Sequence, residues 1–199
     1  MDFRSRRYLL EPRANAEDVA AVARTLRWPL IGEMPENADR LESHEVIWGK
    51  SGDLTLHYQE DVLTRSPAAF VTGEDQRRVQ VASRILEQRL KPATTEELLE
   101  AAEAVRPSPA DYMLAILRLG LGAPVDFDQR FFDQVRNAMR DTETGVRYAA
   151  VWATSYVEWP QYEPLLVRAS EHDPSEKVRG DAAVVLAAYR SLHEEGDGS

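Results

Sequence analysis

Asp141-Thr142-Glu143-Thr144-Gly145-Val146-Arg147-Tyr148-Ala149-Ala150 is answered by Asp173-Pro174-Ser175-Glu176-Lys177-Val178-Arg179-Gly180-Asp181-Ala182-Ala183, at a shift of 32 from Val146 to Val178. Each copy places an acidic residue in a turn, a Val-Arg pair about one helical turn later, and then alanines. A fixed period in the 30s with helical spacing inside each unit marks a helical solenoid. A weaker copy precedes them: Pro107-Ser108-Pro109-Ala110-Asp111-Tyr112 leads to Ala115 but lacks the Val-Arg pair. The spacings Ala115 to Ala150 and Ala150 to Ala182 are 35 and 32.

These segments resemble the HEAT-repeat family, in the short form common in bacterial proteins. The resemblance implies that Val146 and Val178 pack inward and that the alanines let neighbouring helices approach. It also implies that Asp141, Arg147, Asp173 and Arg179 tie successive repeats together at their turns. It implies an architecture and a bias toward binding, and no reaction.

Outward from this pattern, every segment after Lys91-Pro92-Ala93 has helical period. Helices are expected near 95 to 105, 109 to 120, 128 to 140, 143 to 158, 160 to 171 and 175 to 193, each bounded by Pro, Gly or Asp. Six helices make three antiparallel pairs, and Gly196 to Ser199 reads as a frayed tail. Thr94-Thr95-Glu96-Glu97 opens the first helix with a capping-box pattern.

The preceding half reads differently. Tyr8-Leu9-Leu10 is either a short strand or an arm, and Asn15 looks like an N-cap with Glu17 and Asp18 in the first turn of a helix closed by Trp28-Pro29. Gly32, Pro35 and Asn37 mark residues 29 to 42 as a long loop. Glu45 to Gly49 and Leu54 to Tyr58 flank a Ser-Gly-Asp turn and predict a β-hairpin, with Leu54, Leu56 and Tyr58 on one face and Thr55 and His57 on the other. Ala68 to Thr72 adds a third strand, and a helix from about Asp75 to Leu90 covers the sheet through Val79, Ala82, Ile85 and Leu86. The fold class is therefore an α+β unit over 1–91, a small antiparallel sheet with two helices, followed by an all-α array of about three helix pairs over 94–195.

A chain of 199 residues with 43% hydrophobic residues buries a real core without a metal. It has no cysteine, which excludes disulfides and thiolate chemistry and fits a reducing compartment. No apolar run is long enough for a signal peptide or a membrane span, so a soluble, cytoplasmic protein with no membrane contact is expected. The net charge of −10 is uneven: residues 1–93 hold 14 basic and 15 acidic side chains, residues 94–199 hold 10 and 19. An acidic array repels phosphate backbones and attracts basic proteins.

On the helix expected over 143 to 158, Val146, Ala149, Ala150, Ala153 and Val157 share one face. Tyr148, Trp152, Ser155 and Trp159 fall on the opposite side, with Arg147, Glu158 and Tyr162 at the rim. The aromatics either anchor a protein partner or fill the gap between repeats. Phe127, Phe131, Phe132, Val135 and Met139 read as core.

The four histidines, His44, His57, His172 and His193, show no metal-ligand spacing. No phosphate-binding glycine loop, nucleophile elbow or zinc-protease motif occurs, so no cofactor is implied. The sequence expectation is a non-enzymatic binding module, an adaptor, scaffold or immunity-type inhibitor, that takes a basic protein on an acidic, aromatic-lined face. The competing expectation is an enzyme. It is either a helical-repeat nucleic-acid enzyme of the DNA glycosylase kind, disfavoured by the missing basic groove, or a hydrolase-type site at the domain junction near His57, Glu60 and the 29 to 42 loop.

Overall fold

The computed structural model describes residues 3–51 and 53–196, with the backbone alone at 50, 51 and 192–196. Residues 197 to 199 of the expected tail, Gly52 of the expected turn and the His193 side chain lie outside the described residues. The chain divides into two units, Met1–Thr94 and Thr95–Ser199.

In the first unit, β1 (Phe3–Arg4) and β2 (Tyr8–Leu9) both pair with the later strand β6 (Pro67–Gly73). Asn15 caps α1 (Ala16–Leu26) by accepting from the Glu17 N–H, while Asp18 reaches back to the Asn15 N–H, a complete capping box. The helix stops at Arg27, held in the left-handed region at φ 57°.

The stretch expected as a loop contains a strand, β3 (Leu30–Met34), and a short 3-10 turn at Ala38–Arg40 capped by Asn37. β3 is an edge strand whose Leu30, Ile31 and Met34 are exposed. Without a buried face it has no alternation to read, and Pro29 and Pro35 disguise it further.

β4 (His44–Ser51) and β5 (Leu54–Glu60) form the expected hairpin, and β6 (Pro67–Gly73) follows on the other side of β5. The sheet is antiparallel, ordered β1-β6-β5-β4-β3, so six strands replace the three or four expected. Asp75 caps α2 (Gln76–Leu90). Helices α1 and α2 cover one face through Val19, Val22, Val79, Ala82 and Leu86, packed on Val46, Trp48, Leu54, Leu56, Tyr58, Ala69 and Val71. Thr55, His57, Phe70 and Thr72 belong to the opposite face by alternation.

The second unit is helical: α3 (Thr95–Val105), α4 (Pro109–Leu121), α5 (Gln129–Ala138), α6 (Thr144–Ala153), α7 (Glu163–His172) and α8 (Glu176–Gly196). They pair in sequence, α3 with α4, α5 with α6 and α7 with α8, and α6 packs on α4 on one side and α8 on the other. The nearest approach needs two glycines. A Cβ at Gly120 would stand 2.5 Å from the Ala153 carbonyl oxygen, and one at Gly145 would meet the Met113 sulfur. Met113 meeting Gly145 and Gly120 meeting Ala153 also means that α4 and α6 run the same way.

Helix α6 ends five residues earlier than its pattern suggests. The Thr154 hydroxyl donates to the Val151 carbonyl and the Ser155 hydroxyl to the Trp152 carbonyl. Such local bonds compete with the helix ladder. A 3-10 turn at Thr154–Tyr156 follows, Val157 is extended, and a second 3-10 turn at Pro160–Tyr162 leads into α7.

Candidate functional site

The two copies of the quoted pattern are alike atom by atom at their turns. The Asp141 carboxylate accepts from the Glu143 N–H at 2.9 Å, and the Asp173 carboxylate from the Ser175 N–H at 2.8 Å. The Arg147 Nη1 donates to the carbonyls of Asp141 and Thr142, and the Arg179 Nη1 to those of Asp173 and Pro174. The copies differ at the other edge of the guanidinium. Arg147, buried at 7% exposure, donates its Nε and Nη2 to the two oxygens of Asp173 at 2.8 and 3.1 Å. Among the described residues no carboxylate meets the corresponding edge of Arg179. Burial pushes the Asp173 carboxyl up, but the hydrogen bonds from Arg147 and from the Ser175 N–H, with the charges of Arg147 and Arg179, outweigh it and hold the group below its ordinary value.

The aromatic set divides. Trp159 and Tyr162, expected beside an exposed face, are core residues at 3% and 1% exposure. Both lie beyond the true end of α6, so helical phase does not carry through to them. Trp159 stacks on Tyr162 with ring centroids 5.5 Å apart and takes Phe127 edge-on at 5.2 Å. Its indole N–H donates to the Val125 carbonyl at 3.0 Å. Tyr148 and Trp152 are half-buried against the cluster of Val151, Leu166, Val178, Ala182, Val185 and Leu186, so they fill the gap between neighbouring helix pairs. Lys177 of α8 sits 4.6 Å above the Tyr148 ring. Ser155 and Glu158 are exposed.

What the pattern placed in the core is partly outside. Phe127, one of the expected core residues, is 40% exposed, and Val125, for which no place was expected, is 49% exposed on the same connection between α4 and α5. Trp159 clips this connection from below, by its N–H and by its ring. Exposed Asp126 lies between the two apolar residues, and Glu158 adjoins Trp159; neither carboxylate has a hydrogen-bonded or ion-paired partner among the described residues. The result is an apolar knuckle backed by the Trp159 ring, with the unpaired Asp126 carboxylate between its two apolar residues. Sequence reasoning missed it; the signal that would have found it is the Val125-Asp126-Phe127 alternation of apolar and acidic residues after Pro124.

In the first unit His57 has Glu45 as its carboxylate partner, where the sequence suggested Glu60. The Nδ1 lies 2.7 Å from the Glu45 Oε1, and the Nε2 lies 2.7 Å from the Thr55 hydroxyl and 3.0 Å from that of Thr72. The ring stacks on Phe70 at 4.5 Å. A carboxylate, imidazole and hydroxyl in series resemble a nucleophile relay. However, β5 is paired on both sides along its length, so the backbone N–H groups around Thr55 are committed to ladders and none is left for an oxyanion. His44 pairs with Glu33, and exposed His172 lies near Glu171.

Arg136, Arg140, Arg168 and His172 line a groove of about 540 Å³ over Met139 and Leu165. The three arginines stand toward the C-terminal ends of α5 and α7, where they offset the helix dipoles, and Asp141 and Asp173 share the groove. That arrangement is no continuous basic track for phosphates. Among the described residues no group of three or more His, Asp or Glu side chains is placed to hold a metal ion, and no helix is long and apolar enough to cross a membrane.

Fold and site together define a two-unit protein, an antiparallel α+β sheet unit followed by an array of helix pairs. Comparison with protein-family models, with curated proteins and with solved structures found no match in any of the three.

Proposed function

We propose that the chain is a non-enzymatic binding module, an adaptor or immunity-type inhibitor, which docks a basic protein partner on its helical array. On this reading the array is a short HEAT-like one and the protein works in the cytoplasm, in keeping with its lack of cysteine. The observation that carries the proposal is the Val125–Phe127 knuckle, two exposed apolar side chains held by Trp159 with the unpaired carboxylate of Asp126 between them and exposed Glu158 next to Trp159 in sequence. Preorganised aromatic and aliphatic anchors supply affinity, and surrounding carboxylates supply attraction and orientation toward cations. Tyr148 and Trp152, packed between helix pairs, are not part of this surface on the present reading.

The test is capture of partners from host extract over a salt series, with Phe127→Ser and Asp126→Lys/Glu158→Lys variants whose melting temperatures match the parent. Charge-led docking weakens as ionic strength rises and is lost in both variants. Capture that ignores salt and survives both would sink the proposal.

The Glu45–His57–Thr55 series favours a second reading, a hydrolytic site in the first unit. Turnover of a generic ester panel, abolished by His57→Gln, would support it. The committed N–H groups around Thr55 weigh against it.

A further inference from the structure

The repeat equivalence identifies a surface on the last helix. At the shift of 32, Arg147, Tyr148, Val151 and Trp152 of α6 correspond to Arg179, Gly180, Ala183 and Val184 of α8. The α6 set is covered by the next helix pair: Asp173 closes the guanidinium of Arg147, Lys177 lies over Tyr148, and Val151 is buried in a cluster with Val178 and Ala182. The α8 set occupies the same positions and has no cover among the described residues. Val184 is 60% exposed, Ala183 and Gly180 are exposed, and a Cβ at Gly180 would meet nothing within 4 Å. Arg179 makes the same backbone bonds as Arg147, which holds its fork in a like pose, with its Nε and Nη2 edge open among the described residues.

We infer that this face of α8 is a docking surface for a helix pair of another protein, seated as the next rung of the array, with an aspartate or glutamate in its interhelical turn bound by the Arg179 fork. Two observations choose this occupant. The surface continues an interface already formed once in the chain, between the α5–α6 and α7–α8 pairs. Besides exposed Glu176 in its first turn and Arg190, which Glu163 holds, the face offers a guanidinium edge preset for a bidentate carboxylate. A second copy of this chain suits it poorly, since its first helix pair has Pro107-Ser108-Pro109 where a carboxylate would be needed. The face differs in place and in charge from the Val125–Phe127 knuckle, so it stands or falls separately from the proposed function.

The experiment places a photo-crosslinking amino acid at Val184 of the full chain in host cells and maps crosslinked peptides by mass spectrometry. The expected product is a helical segment of a different protein, attached within a turn or two of an Asp or Glu. Its yield should fall at least tenfold in Arg179→Met and in Ala183→Glu, with unchanged melting temperature in the latter showing that the fold is intact. Absence of any product, crosslinks only to this same chain, or a yield indifferent to both substitutions would overturn the inference.

Discussion

Arg147 and Asp173 form a two-point ion pair across consecutive helix pairs, at 2.8 and 3.1 Å, with side-chain exposures of 9% and 6%. The pair sits where the α5–α6 turn meets the α7–α8 turn, so it fixes how one helix pair is seated on the next. Three more Arg147 bonds, to the Asp141 and Thr142 carbonyls and to the Thr144 hydroxyl, satisfy the rest of the guanidinium. Removing one partner leaves the other charged and buried. Arg147→Ala is expected to cost about 3–5 kcal/mol in urea unfolding, whereas Arg147→Met with Asp173→Leu costs less than the two single changes combined.

Acid should act through the same pair. The Asp173 carboxyl is held below its ordinary value, so its contribution to stability is fully present above the unfolded carboxyl value of about 3.9 and is lost as pH falls through the lower folded value. Asp173→Asn therefore flattens this part of the acid limb of a stability profile. In Arg147→Met the acid unfolding midpoint moves to higher pH. An acid limb identical in all three proteins would remove the pair from the account.

Two glycines in second helices should respond with opposite signs. Gly120→Ala drives a methyl to 2.5 Å from the Ala153 carbonyl oxygen and 2.8 Å from its Cα, both backbone atoms that yield only if α4 and α6 separate. A loss of about 1–3 kcal/mol is expected. Gly180→Ala meets open space within α8 and should stabilise by about 0.5–1 kcal/mol, through better helix propensity and a less flexible unfolded chain. Thermal melts of the two variants settle the contrast.

The tryptophans separate core from spacer. Trp159→Ala removes a buried ring that stacks on Tyr162 and an N–H bonded to the Val125 carbonyl, and should cost about 3–5 kcal/mol. It should also loosen the Val125–Phe127 knuckle, seen as faster amide exchange there. The Trp152 indole N–H is buried with no acceptor, so Trp152→Phe discards an unsatisfied donor and should change stability by less than about 1 kcal/mol. Equal losses at the two positions would contradict this division.

Local chemistry made some of this legible in the sequence and long-range pairing hid the rest. The Asn15 cap, the Leu54/Leu56/Tyr58 face and the buried Val146/Ala149/Ala150 seam follow from contacts within a few residues, which spacing reports directly. Glu45 and His57 lie 12 residues apart and meet only because Ile47 is registered opposite His57. No local pattern announces that meeting. β3 was masked because an edge strand with both faces exposed carries no alternation. The misplacement of Trp159 came from extending helical phase through Thr154 and Ser155, whose hydroxyls had already closed the helix. Phe127 read as core because a phenylalanine near an amphipathic helix usually is, yet here the connection holds it above Trp159 instead of beneath it.

High pH should expose the sheet unit. Burial pushes the Tyr8 phenol up to about 12, helped by a hydrogen bond with Glu87 and that group's negative charge, and opposed by Ser83 and Arg6. Tyr58 is raised too, first by burial and then by Glu60 and Asp18. Both groups favour the neutral phenol in the folded chain. Their contribution is complete below the unfolded tyrosine value of about 10 and is lost as pH rises toward the folded values. Phenolate absorbance from Tyr8 should therefore appear together with unfolding of the sheet unit, followed by exchange of its amides, and not in advance of it. Tyr8→Phe keeps the ring in the core cluster and removes the ionisable group, so its alkaline limb between about pH 10 and 12 should be shallower than that of the parent. A Tyr8 that titrates near 10 with the sheet still folded would show that its hydroxyl reaches water, and would contradict its place in the core.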